Sequence, residues 1–432
     1  MATLAVAALF GVLLGRFIWA GSDGPPVPSP GVSADRSTEA RVASLQERLG
    51  TTPADPRLLT DLGAAYLARA RETADPGFFA RAGQVLDRSD GMAPNQPRTL
   101  IAQGLLALAL HDFARALDLG RRAHDLQPEA ADPLGVVVDA HVELGQYPEA
   151  AAAAQQMVDR RPSLASLSRV SYLRELNGDQ AGAMTAMTQA VTAGSSSPDD
   201  LAYVRTLLGD LRLGEGDLDA ADATYARALE DRPGYGLAEV GRARVAAARG
   251  DLAAAAAILE PAVTRLPVAS SVALLGDVYT ALGREADGTA QYDLVRRIIQ
   301  LERAGGVAVD LELARFEADH AGDPGADPSA TVQEARVALA QRPTIYAEDA
   351  LGWALRQAGQ AEEALAHALG AVRLGTRDAV LWWHLARVEA DLGLADDARG
   401  HLTTAFSINP SLSVRDVPAA RALAAELGVT GP

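Results

Sequence analysis

Pro94, Pro128 and Pro162 stand 34 residues apart, and so do Pro233 and Pro267. Gly359 and Gly393, Ala364 and Ala398, and His367 and His401 keep the same interval. A fixed internal period constrains a fold more than any local motif. Each period must build the same supersecondary unit, and each unit must bury its apolar face against a copy of itself. Proline cannot continue a helix, so its recurrence marks a helix end once per period. Between the prolines the chain is rich in alanine and leucine, the strongest helix formers, and aromatic residues make up only 5% of it. Each period therefore reads as a hairpin of two helices, A and B, and the chain as an all-α stack.

The pattern inside the period is specific. Counted from Ala379, Trp382 falls at position 4, Leu385 at 7, Ala386 at 8 and Gly393 at 15. Ala398, Leu402, Ala405 and Pro410 follow at 20, 24, 27 and 32. An earlier unit supplies Leu275, Gly276, Tyr279 and Gly283, and one near the start supplies Leu62, Gly63 and Tyr66. With these residues at a 34-residue period, the chain resembles the tetratricopeptide repeat (TPR) family of the bacterial membrane-anchored or exported type, over about residues 40–412. The resemblance implies a right-handed superhelical solenoid of about ten TPR hairpins with a C-terminal capping helix. Small residues at 8, 20 and 27 let helices approach, large ones at 4, 7, 11 and 24 fill the space between them, and the array needs polar caps at its ends.

Departures from the period locate insertions. The gap from Pro53 to Pro94 exceeds one period by 7, which fits a longer hairpin turn at 71–79. Pro162 to Pro233 exceeds two periods by 3, matching 194–200. Pro267 to Pro343 exceeds two by 8, which fits a lengthened helix at about 291–306 and a loop near 320–329. Residues 37–49 read as a lone B-type helix, and 416–428 as the cap. The resulting division is an apolar membrane anchor or signal segment (1–21), a Pro/Gly/Ser-rich linker (22–36), a TPR array (37–413) and a capping helix with tail (414–432).

Residues 1–20 are nearly all apolar, about the length of a membrane span. Nine strongly apolar residues favour insertion by roughly 0.3 to 0.6 kcal/mol each, against a cost of roughly 2.5 to 3.5 kcal/mol for a central arginine. Arg16 lies near one end, where its stem can reach the interface at lower cost. The run resembles a signal anchor or signal peptide with a cleavage position after Ser22, and it places the bulk of the chain outside the cytoplasm.

Composition removes whole classes of chemistry. There is no cysteine, hence no disulfide, thiolate nucleophile or zinc finger, and no lysine, hence no Walker A lysine or Schiff base. A net charge of −17 disfavours nucleic acid as a partner. No two of the seven histidines have the helical spacing of a metal pair, and the His-Asp dipeptides at His111 and His124 lack the rest of a phosphohydrolase motif. No catalytic residue, cofactor or metal is expected. The competing reading is a small-ligand or metal-binding protein that uses 309–323, where Asp310, Glu317, Asp319 and His320 cluster.

In TPR superhelices, positions 2, 5, 9, 12 and 13 of helix A face the concave groove. By that resemblance the groove holds Asp139, Asp210 and Asp277 at position 9, with Arg244, Arg387 and Trp353 there in other units. Trp383 falls at position 5, and Tyr203 and Tyr346 at position 2. Such a surface suits a protein or peptide partner with basic and apolar anchors. The expected function is a non-catalytic scaffold held at a membrane.

Overall fold

The computed structural model describes residues 38–195, 197–323 and 325–430. The expected anchor and linker, 1–36, lie outside the described residues. Among those described there are 22 helices and no strand, and no helix long and apolar enough to cross a membrane.

The first helix, α1 (Thr38–Thr51), precedes a run of antiparallel pairs. These are α2 (Pro56–Thr73) with α3 (Gly77–Met92), α4 (Pro97–Ala109) with α5 (Phe113–Leu126), and α6 (Asp132–Glu143) with α7 (Tyr147–Arg160). Next come α8 (Leu164–Leu176) with α9 (Gln180–Ala193), α10 (Pro198–Gly214) with α11 (Leu218–Asp231), and α12 (Gly236–Ala248) with α13 (Leu252–Arg265). Then follow α14 (Ala269–Ala281) with α15 (Glu285–Ala304), α16 (Asp310–Asp319) with α17 (Pro328–Gln341), α18 (Ile345–Gln357) with α19 (Ala361–Ala371), and α20 (Ala379–Asp391) with α21 (Ala395–Ile408). The chain ends in α22 (Asp416–Leu427).

The repeated prolines lie where the period requires. Pro53, Pro94, Pro128, Pro162, Pro233, Pro267, Pro343 and Pro410 all fall between one B helix and the next helix. The turns inside the hairpins have their own chemistry. A glycine at positive φ closes helix A, as at Gly178 (73°), Gly216 (76°) and Gly250 (83°). The aspartate that follows caps helix B: Asp179, Asp217 and Asp251 accept from the backbone N–H of Gly182, Ala220 and Ala254. Close packing depends on small residues. Tyr225 of α11 is fully buried against Gly209 of α10 and Gly241 of α12, where a Cβ on either glycine would collide with its ring.

The insertions are absorbed mainly by helices. α2 runs to Thr73 and leaves a turn of three residues, and α15 extends over 20 residues to Ala304.

The solenoid also touches itself. The backbone N–H of Ala308 donates to Leu110 O (3.2 Å), and that of Ile345 to the Tyr147 hydroxyl (3.0 Å). Asn409 Nδ2 donates to Leu213 O (2.8 Å). Each contact joins an A–B turn to a junction between units just under six periods later, so the second superhelical turn rests on the first. At the centre of this seam the Arg342 guanidinium donates to Glu143 (2.7 Å) and Glu312 (2.8 Å), and all three side chains are buried.

Candidate functional site

Successive A helices pack on one another at α2–α4, α4–α6, α6–α8, α10–α12 and α18–α20, more closely than successive B helices do. The A helices therefore line the inside of the curve, and the nine residues expected on the groove all lie on them.

Most of these side chains are engaged with neighbouring units. Asp139 is 1% exposed and accepts from Arg169 of the next A helix at 2.9 and 2.6 Å. Asp210 accepts from the Tyr225 hydroxyl and from Arg244 of the next A helix, both at 2.7 Å. Burial pushes the Asp210 carboxyl above its ordinary range, and the Arg244 charge opposes that. Asp277 accepts from the Tyr292 hydroxyl (3.0 Å), with His320 Nε2 at 3.3 Å. Tyr203 is buried among α10 and its neighbours, and Tyr346 lies under the Arg315 guanidinium. Trp353 stacks on His384, with ring centres 3.9 Å apart. Trp383 is 1% exposed and donates its indole N–H to Asp416 (3.2 Å). Arg387, the most accessible, pairs with Asp391 one turn on (2.6 Å).

Two of the nine, Asp210 and Arg244, thus bond directly to each other, and the rest are spread over several units. The acidic positions tie one repeat to the next. Arg169 and His384 were not singled out by sequence, although a signal existed. Arg169 follows Asp139 by 30 residues and His384 follows Asp349 by 35, both close to one period.

An open part of the inner face remains at the N-terminal units. The N-terminal parts of α2, α4, α6 and α8, with Gln127 after α5 and Met157 of α7, line a cavity of about 460 Å³. Ile101, Leu105, Val136 and Met157 form its apolar lining, and the exposed Arg57 and Arg98 stand at its rim.

The 309–323 segment forms α16 and the turn after it. Glu317 is held by Arg296 (2.8 and 3.1 Å). His320 Nδ1 donates to Phe316 O (2.7 Å). Burial and the neighbouring Asp416 push the Asp319 carboxyl up to about 6. The side chain of Asp310 lies outside the described residues. Among the described residues, no three of His, Asp and Glu come together in a metal-holding set.

Residues 138–198 and 206–270 match the family model "Tetratricopeptide repeat". No curated protein matches the chain. Among solved structures it is similar to a tetratricopeptide repeat protein from Parabacteroides merdae, at 16% identity over 56% of this chain and 98% of that one (TM-score 0.40). It is also similar to PilW, a type IV pilus biogenesis factor, at 18% identity over 46% of this chain and 92% of that one (TM-score 0.40). A third is the human IFIT1 dimer with m7Gppp-AAAA, at 13% identity over 85% and 86% (TM-score 0.49).

Proposed function

We propose that this chain, which carries tetratricopeptide repeats over residues 138–198 and 206–270, is a non-catalytic scaffold that holds a protein or peptide partner on the inner face of its superhelix. In this reading the pairs from α2–α3 to α20–α21 are ten repeat units and α22 is the cap. The N-terminal apolar segment tethers the array at a membrane, with its bulk outside the cytoplasm.

The observation that carries the reading is the cavity formed by α2, α4, α6 and α8. Its volume falls in the range of about 300–1,000 Å³ typical of binding sites, and its lining mixes apolar side chains with polar ones such as Thr60, Thr99, Asp132 and Arg169. Basic anchors are expected where Asp139, Asp210 and Asp277 face a ligand. Asp139 and Asp210 already hold arginines of this chain, and Arg98 at the cavity rim pairs with Asp61 (2.6 Å), so the cavity instead suits apolar anchors flanked by a carboxylate that meets Arg57.

Tagged full-length protein isolated from native membranes tests this. The expected partner is retained by the wild type and by Arg421→Glu, exposed on α22, and lost from Arg57→Glu. Equal retention by all three removes the cavity from the function.

A further inference from the structure

After α21 the chain turns back onto the inner face. Leu412 is 1% exposed and has φ 25°, on the left-handed side that side chains other than glycine avoid. Ser413 Oγ donates to Asp416 Oδ2 (2.6 Å), and the Asp416 N–H donates back to Ser413 Oγ (2.9 Å), which fixes a tight turn. That turn presents two charges of opposite sign to three different units. The Arg415 guanidinium lies 3.7 Å from Asp277 of α14 and 3.6 Å from Asp323 beyond α16. Asp416 accepts from the Trp383 indole of α20. Beside them, His384 is 2% exposed, with Nδ1 bonded to Asp349 (2.8 Å) and Nε2 without a hydrogen-bond partner. Burial disfavours charge on His384, yet Asp349, Asp416 and Asp319 together raise its pKa.

Asp277 and Trp383 are among the positions that the repeat resemblance expects on the groove, and a segment of the chain's own sequence sits on them. The ion pairs it makes are long, Arg415 is 30% exposed, and the connection is strained at Leu412. These are the marks of an occupant that fits the site without saturating it.

We infer that Asp277, Asp323 and Trp383 form a second binding site, for a peptide segment presenting an arginine followed by an aspartate, and that residues 411–416 are its internal, displaceable occupant. The site shares no residue with the α2–α8 cavity, so either can fail without the other.

The probe is a synthetic peptide of residues 411–419, SLSVRDVPA, titrated into full-length protein by calorimetry. The Arg415→Ala variant, whose own segment is loosened, is expected to bind it at least tenfold more tightly than wild type. Replacing the peptide's arginine by alanine, or adding Asp277→Asn and Asp323→Asn to the protein, is expected to abolish binding. Amide exchange in α22 is expected to be at least tenfold faster in Arg415→Ala than in wild type. If Arg415→Ala loses helicity by circular dichroism, Arg415→Lys serves in its place, with the same ordering expected. Equal binding to wild type and variant, or no binding to a folded variant with unchanged α22 exchange, overturns the inference.

Discussion

Arg342 and Glu143 are 199 positions apart in the sequence, and their side chains meet at 2.7 Å in the seam between two superhelical turns. Glu312 accepts from the other guanidinium nitrogen at 2.8 Å, and the Phe113 ring lies against the same group, 5.0 Å from its centre. Burial works against the Arg342 charge, and the two carboxylates more than restore it. Removing one member of a buried ion pair costs about 3–5 kcal/mol, because a charge is left without compensation. Arg342→Ala is expected to lose that much in urea denaturation. Arg342→Met combined with Glu143→Gln and Glu312→Gln is expected to recover most of it.

The seam also requires close backbone approach. Gly145 has φ 67°, and a Cβ there would run into the carbonyl oxygen of Pro343. Gly359 has a similar φ of 76°, with nothing within 4 Å of the same point. Gly359→Ala is expected to cost about 1–2 kcal/mol, the conformational penalty alone. Gly145→Ala is expected to cost clearly more and to raise amide exchange in the 343–347 segment. Equal costs would mean that the turns do not touch there.

The ties between repeats differ in how far they tolerate loss of a partner. Asp139→Ala takes the carboxylate from the Arg169 guanidinium, which is 5% exposed, and is expected to cost about 3–5 kcal/mol. Arg244→Ala leaves Asp210, whose carboxyl burial already pushes up and which keeps the Tyr225 hydroxyl as donor. Without Arg244 that carboxyl rises further, so protonation relieves the defect. The cost of Arg244→Ala is expected to shrink as pH falls from 7 to 5, as followed by thermal unfolding.

Glu302, near the end of α15, gives a slope of the same origin in the wild-type chain. Burial, and then the neighbouring Glu312, push its carboxyl up to about 8, and its Oε2 has no hydrogen-bond partner. The unfolded chain ionises this group near about 4.3, while the folded chain keeps it neutral. Between those values the unfolded state binds fewer protons, so stability falls as pH rises from about 4.3 to about 8. Glu302→Gln is expected to raise Tm more at pH 8 than at pH 5. An equal gain at both values would contradict a neutral Glu302.

The period was legible because proline, glycine and small residues act locally. Pro94, Pro128 and Pro162 separate units wherever the chain turns, and Gly178 closes a hairpin whatever lies beyond it. The seam was not legible. Whether Arg342 meets Glu143 depends on small rotations summed over six units, and by sequence Arg342 looks like Arg161 and Arg232, which also precede a unit-ending proline. The fate of the groove residues was only half legible. The grid placed Asp139, Asp210 and Asp277 on the A helices, but a carboxylate there has two uses, holding a ligand or holding the next repeat. Arg169 and Arg244, one unit on, supply the second.

Hydrogen exchange on full-length protein, with and without the partner retained in the membrane isolation, tests the scaffold reading most directly. Protection is expected in the first turns of α2, α4, α6 and α8, with the outward B helices unchanged. Protection confined to the B helices, or none in α2–α8, would contradict partner binding on the inner face.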